Sequence, residues 1–194
     1  MKARLKKYRV DLEKRIKAII HHFRFTQKLT GITPAQEDKL RGLIALCHAE
    51  IEDYFETVAL TLFQDSIDLW TTKRIPNYNL ASLFLLGERP SKILDSGTMA
   101  FKITESYEYK VANNHGVKHE NIHALFYPLG YDDSDFDSTL LAQLDSFGAQ
   151  RGSIVHTSAK KATQALDQKT VINMIQDIVK LLPDFESVIL SKIA

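Results

Sequence analysis

The stretch TPAQEDKLRGLIALCHAEIEDYFETVALTL, from Thr33 to Leu62, decides the fold class. Its opening, Thr33-Pro34-Ala35-Gln36, combines an N-cap hydroxyl, a proline at the first helical position and a reciprocal capping amide. Leu40, Ile44, Cys47, Ile51, Tyr54, Phe55, Val58 and Leu62 then recur at helical spacing. The pattern predicts one helix from Pro34 to about Thr72, and helices of that length usually span a whole bundle.

Upstream, Leu5, Tyr8, Leu12, Ile16, Ile19, Ile20 and Phe23 predict a first helix over residues 2–29, stopped at Gly31. Downstream, Pro76, Asn77, Asn79, Gly87 and Pro90 interrupt residues 73–96 and leave room for one short helix near 80–86. Further helices are expected over 97–113, closed by Asn114-His115-Gly116 as a left-handed cap, over 118–127, and over 138–159. A last helix starts near Thr170 and is expected to bend or break at Pro183. No alternating strand, internal repeat or low-complexity tract interrupts this reading. The expectation is an all-α fold, a single domain over 1–194 built as a bundle of long helices with extra short ones.

Composition agrees. Of 194 residues 44% are hydrophobic, enough for a core without disulfides, and eight Gly and five Pro favour long helices over a turn-rich sheet fold. Net charge is +1, so the whole-chain balance names no partner. Residues 1–28, however, hold ten Lys/Arg against Asp11 and Glu13. Such a helix face, with Lys6, Lys7 and Arg9 at its centre, suits RNA phosphates or an acidic partner. A solvated face balanced by acids elsewhere explains it equally well. The single cysteine, Cys47, lies in the apolar stripe and reads as a core residue. The basic N-terminus is not followed by an apolar run, and no stretch reaches the roughly 18–20 apolar residues of a membrane span. A cytoplasmic protein without a membrane segment is the expectation.

The helix over 138–159 carries the anomaly. Leu140, Leu144, Phe147, Ile154 and Val155 form its stripe, and Arg151 falls in phase with them. A cation there is costly to bury unpaired, so it has a buried acidic partner or faces a polar cleft. Gly148 and Gly152 flank it, each costing about 1 kcal/mol in a helix against alanine, which points to a need for room. Gly152 also lies one turn before His156 and leaves that imidazole uncovered, with the hydroxyls of Thr157 and Ser158 following. A histidine can serve as acid or base near neutrality, and an arginine offers a planar fork to phosphate oxygens. Five positions along a helix is about 140° of rotation, so the two heads are not brought side by side by the helix alone. Spacing by itself is unspecific: Arg15 with His21, and Arg41 with His48, satisfy the same loose rule. Arg41 and His48 lie in phase with Glu52, a polar strip open to a structural reading. On the residues alone, a buried Arg151 salt bridge with an incidental histidine outweighs catalysis.

The stretch from Leu144 to Ser158 nevertheless resembles the signature helix of the HEPN superfamily, in its RiboL-PSP-type branch. His48-Ala49-Glu50-Ile51-Glu52-Asp53-Tyr54-Phe55 is similar to that branch's acidic-aliphatic-aromatic helix, and the order of the two segments matches. The resemblance implies a HEPN-like bundle of long antiparallel helices. It implies a metal-independent endoribonuclease of toxin–antitoxin, abortive-infection or phage-defence systems, with no cofactor. RNA is the implied substrate, a homodimer with a composite active site the implied assembly, and an antitoxin or defence protein a possible partner. By the same resemblance His156 is the general acid or base and Arg151 the phosphate clamp. Glu52 matches the helix-two acid that orients His156 or pairs with Arg151, with Glu50 in reserve. Gly152, Thr157 and Ser158 are supporting residues. Gly152 departs from the pattern, because many HEPN motifs have a polar residue directly after the arginine. Some HEPN proteins are non-catalytic RNA-binding or interaction modules, which is the alternative.

Two other patterns compete. His119-Glu120-Asn121-Ile122-His123 reads as the zinc-hydrolase motif, in which two histidines one turn apart hold the metal and the glutamate activates water. It lies in a short segment with no following glutamate until Glu186, so a polar helix start with Ile122, Leu125 and Phe126 packed inward is the better reading. Asp133, Asp135 and Asp137 begin like a calcium loop, but Ser138 stands where Gly is needed and Leu144 where Glu is needed. Acids ahead of a helix, favoured by its positive N-terminal end, explain them. His21-His22 reads as a boundary pair on the basic helix.

Overall fold

The computed structural model describes residues 1–26, 32–86, 96–156 and 167–193, apart from the side chains of residues 96, 97, 99, 100, 155 and 156. Among these residues the protein is built from seven α-helices and no strand. They are α1 (Lys2–Phe23), α2 (Pro34–Lys73), α3 (Tyr78–Leu86), α4 (Ser96–Ala112), α5 (His119–Phe126), α6 (Ser138–His156) and α7 (Gln168–Ile193). Two short 3-10 turns, Tyr127–Leu129 and Asp133–Asp135, join α5 to α6.

The central element is α2, 40 residues and therefore about 60 Å long. Its N-terminus is the expected capping box: Gln36 N–H donates to Thr33 Oγ1 at 3.3 Å, and Thr33 N–H to Gln36 Oε1 at 2.9 Å. Leu40, Ile44, Cys47, Ile51, Phe55, Val58 and Leu62 are all buried beneath its neighbours. Burial pushes the Cys47 thiol up to about 12, as befits an inert core residue.

Cross-helix contacts set the directions. Arg4 pairs with Asp65, Thr61 donates to Tyr8, and Arg15 pairs with Glu50, so α1 runs antiparallel to α2. His48 meets Phe147 and Arg41 reaches Ile154, so α6 is antiparallel to α2 as well. Arg9 pairs with Glu186 and Phe25 with Gln168, which sets α7 antiparallel to α1. Where α2, α5 and α7 meet, Phe55, Phe126 and Phe185 pack edge to face with centroids 5.1–6.4 Å apart.

Two boundaries differ from the expectation. α1 ends at Phe23 rather than near residue 29, because α7 supplies a competing partner. The Gln168 amide accepts from Phe25 N–H at 2.9 Å and donates to Phe25 C=O at 2.8 Å, holding that backbone outside the helix. The expected stop at Gly31 lies outside the described residues. Conversely, α7 continues through Pro183. Leu182, Phe185 and Ile189 are buried on both sides of it, and their burial outweighs the ladder bond that proline cannot donate. Asn114 is not a left-handed cap: Arg74 alone among the described non-glycine residues has positive φ. No described helix is long and apolar enough to cross a membrane.

Candidate functional site

The site grows from one polar face of α2. Glu37, Arg41, His48 and Glu52 fall within about 60° of one another around the helix axis, and α6 packs along this face. At its far end Arg41 Nη1 donates to the Ile154 carbonyl of α6 at 3.0 Å, while Glu37 Oε1 holds the same guanidinium at 3.2 and 3.3 Å. In the middle His48 is buried, its ring tilted against Phe147 of α6 at 5.8 Å. One turn on, His48 Nδ1 stands 3.5 Å from Glu52 Oε2. Arg151 approaches Glu52 from α6 closely enough for its charge to act on that carboxylate.

Glu52 is therefore a half-buried acid with three favourable neighbours. Burial pushes its carboxyl up, but a hydrogen bond and the charge of His48, the Gly116 backbone N–H and the Arg151 cation together hold it below the usual range. Gly116 can present its N–H because it adopts φ +152°, and a Cβ there would come within 2.7 Å of the Asn121 side chain. Asn114 secures that loop: its amide donates to Glu56 Oε1 and to Gly116 C=O, each at 3.2 Å, and accepts from Asn121 at 3.2 Å. Glu56, one turn beyond Glu52, moves the other way. Burial and the charges of Glu52 and Asp53 raise it, although Asn114 and His115 oppose them.

The two motif glycines separate in role. A Cβ on Gly148 would meet Lys118 Cγ at 2.6 Å, so this glycine lets the loop ahead of α5 close onto α6. Nothing lies within 4 Å of a Cβ on Gly152, so no described residue explains that one. His156 is the last residue of α6; its side chain, Thr157 and Ser158 lie outside the described residues.

Other predicted residues stand elsewhere. Glu50 is two positions from Glu52, about 200° around the helix, and accepts from Arg15 Nε at 2.7 Å on the α1 side. Lys6 and Lys7 are exposed on α1, Lys7 paired with Asp11 at 2.8 Å. Arg9 is turned inward against Glu13 and Glu186. His119 Nε2 and His123 Nδ1 take separate oxygens of Asp133, at 2.8 and 2.9 Å, and His123 stacks on Tyr127. Only His123 makes a hydrogen bond there, His119 Nε2 approaches the second oxygen without hydrogen-bond geometry, and Glu120 is exposed. No three His, Cys, Asp or Glu among the described residues are arranged to hold a metal ion. Asp137 caps α6, accepting from Thr139 N–H at 2.6 Å.

Arg41 and His48 form with Glu52 the polar strip expected from their phase, and α6 packs along it. Chemically, the arrangement provides an ionised carboxylate within electrostatic reach of a half-buried guanidinium, on the helix that carries His156. A guanidinium offers a planar fork of donors to phosphate oxygens.

Neither the curated proteins nor the solved structures compared with the chain gave a match. A family model described as RiboL-PSP-HEPN matches residues 10–191, nearly the whole chain and all of the α2 and α6 segments just described. The family supports a nuclease or RNA-related role in general. With helices in the expected order and a match of that extent, the chain belongs to the RiboL-PSP-type HEPN family.

Proposed function

We propose that this protein is a metal-independent endoribonuclease acting as a toxin or phage-defence effector. The observation that carries the reading is an ionised Glu52 on α2 within electrostatic reach of Arg151, on the helix that carries His156. One base removes the 2′-hydroxyl proton, the 2′-oxygen attacks phosphorus, the bond to the 5′-oxygen breaks, and an acid protonates the departing 5′-oxygen. His156 takes the acid or base role, and Arg151 clamps the non-bridging oxygens as charge builds on phosphorus. Glu52 aims Arg151. The products are a 2′,3′-cyclic phosphate end and a 5′-hydroxyl end. A single α6 separates Arg151 and His156 by about 140°, so a homodimer whose α6 helices face each other supplies the complementary residues. The effector role, and an antitoxin or defence partner, follow from the resemblance to HEPN ribonucleases of such systems.

The test is RNA incubated with protein in excess EDTA. Wild type is expected to cleave and leave cyclic phosphate ends, with His156→Ala slower by about 10²–10⁴-fold, the usual span for acid–base catalysis. No cleavage by wild type, or equal cleavage by both, refutes the reading. Gly152 provides an independent check. Alanine there meets no described residue and should raise helix stability by about 1 kcal/mol. If the empty space is kept for RNA, Gly152→Ala melts higher yet binds and cleaves RNA less well; unchanged cleavage removes Gly152 from the site.

A second reading has one observation in its favour: Lys2, Lys6, Lys7, Lys14 and Lys17 are all exposed on α1. A non-catalytic module that binds RNA or a partner protein through this face predicts binding that survives His156→Ala and weakens in Lys6→Gln/Lys7→Gln.

A further inference from the structure

We infer that Arg41 and His48 are positioning residues of the candidate site: Arg41 fixes the turn of α6 that carries His156, and His48 fixes the Glu52 carboxylate opposite Arg151. The inference deepens the nuclease reading and rests on it for its catalytic consequence only; the geometric claim stands separately.

Ile154 C=O lies two residues before His156 on α6, and Arg41 donates to it from α2 at 3.0 Å. The bond ties the backbone of α6 to α2. The arginine is itself held. Its side chain is only 15% exposed, and Glu37, one turn earlier on α2, accepts from its Nε and Nη2. Eleven residues along α2 from Glu52, the bond fixes the register of α6 against α2. His156 is two residues beyond the anchored carbonyl.

His48 works at the other end of the same face. It is 3% exposed and wedged between the Phe147 ring and Glu52, so its ring has little freedom. The groups facing Glu52 are His48 on α2, Arg151 on α6 and the Gly116 N–H, with Glu56 on the same helix one turn away. Of the side chains among these only His48 is buried, which suits it to hold one carboxylate oxygen while Arg151 meets the charge. Two contacts, about two turns apart on α2, therefore brace α6 on both sides of Arg151. A misplacement of about 1 Å at a reacting group can cost about 10²-fold in rate, so bracing of this kind has a kinetic signature.

The experiment compares wild type, Arg41→Met, His48→Leu and the milder His48→Asn, which keeps an N–H near the Nδ1 position. Amide hydrogen exchange at residues 152–156 and the carbon-13 titration of the Glu52 carboxyl read geometry without any activity. Arg41→Met is expected to speed exchange at 152–156 while leaving the centre of α2 protected. His48→Leu is expected to move the Glu52 titration to higher pH, and His48→Asn to restore it in part. In single-turnover cleavage with saturating protein, Arg41→Met and His48→Leu should lose about 10–10²-fold with little change in RNA affinity. The acid limb of the His48→Leu pH profile should move upward with Glu52. Unchanged exchange at 152–156 and an unmoved Glu52 titration overturn the inference, as does wild-type cleavage by both variants. Absence of cleavage by wild type counts against the nuclease reading alone, and the exchange and titration results then decide the positioning claim.

Discussion

Replacing Arg151 by methionine is expected to lower single-turnover RNA cleavage by about 10²–10³-fold, the loss typical of removing one donor aimed at developing charge. The side chain is half-buried, which strengthens any interaction it makes with a phosphate relative to the same contact in water. Methionine keeps the length and apolar stem, so packing against α2 survives and the charge alone is lost. Arg151→Lys should fall between the two, because lysine keeps the charge and gives up the fork. Glu52→Gln should slow wild type strongly but add little in the Arg151→Met background if the carboxylate acts through the guanidinium. Thermal melts on the same preparations separate chemistry from folding. Wild-type cleavage by Arg151→Met would sink the assignment, and additive losses in the double variant would break the link between Glu52 and Arg151.

That link shows how far the residues alone could go. Arg151 stood out because a cation in phase with Leu144 and Phe147 requires either an acid or an opening, and the fold brings the Glu52 charge within its electrostatic reach. Which acid was not legible from periodicity. Glu50 and Glu52 both lie in the second helix, and only the packing of α1 against one face and α6 against another separates them. The contribution of Gly116 was equally hidden, since a loop N–H aimed at a carboxylate leaves no mark in composition. Arg41 and His48 were legible as a polar strip in phase with Glu52, whereas the packing of α6 along that strip was not.

Helix boundaries failed for a related reason. Local chemistry placed the start of α2 correctly because the Thr33–Gln36 box is satisfied within four residues. The end of α1 depends on Gln168, more than 140 residues away, and no local rule anticipates a glutamine side chain outcompeting the helical ladder at Phe25. Pro183 shows the opposite error. A proline's local penalty of about 3 kcal/mol was weighed without the buried Leu182, Phe185 and Ile189 that hold the helix together around it.

The basic first helix yields the largest expected effect on stability. Arg9→Met should cost about 3 kcal/mol, in the range for unpairing a buried ion pair, which for a domain of this size lowers the melting temperature by roughly 6–12 °C. Arg9 Nη1 donates to Glu13 at 2.9 Å and its Nε to Glu186 at 3.1 Å, and the side chains of Arg9 and Glu186 are only 19% and 9% exposed. Glu186 Oε1 also accepts from the Tyr54 hydroxyl at 3.1 Å. Burial, then the Glu186 charge and hydrogen bond, push that phenol far above its ordinary range, so Tyr54 stays a neutral donor. Without Arg9 the carboxylate keeps Tyr54 but loses its cation in a poorly solvated place. The double variant Arg9→Met/Glu186→Leu should recover much of the loss, since apolar replacement of a whole buried pair is often neutral. Lys6→Gln/Lys7→Gln, by contrast, should melt with wild type, because both lysines are exposed. A loss of RNA binding in Lys6→Gln/Lys7→Gln would thus report on phosphate contact, whereas the same loss in Arg9→Met would report on unfolding. Equal melting of Arg9→Met and wild type would return Arg9 to the list of candidate RNA contacts.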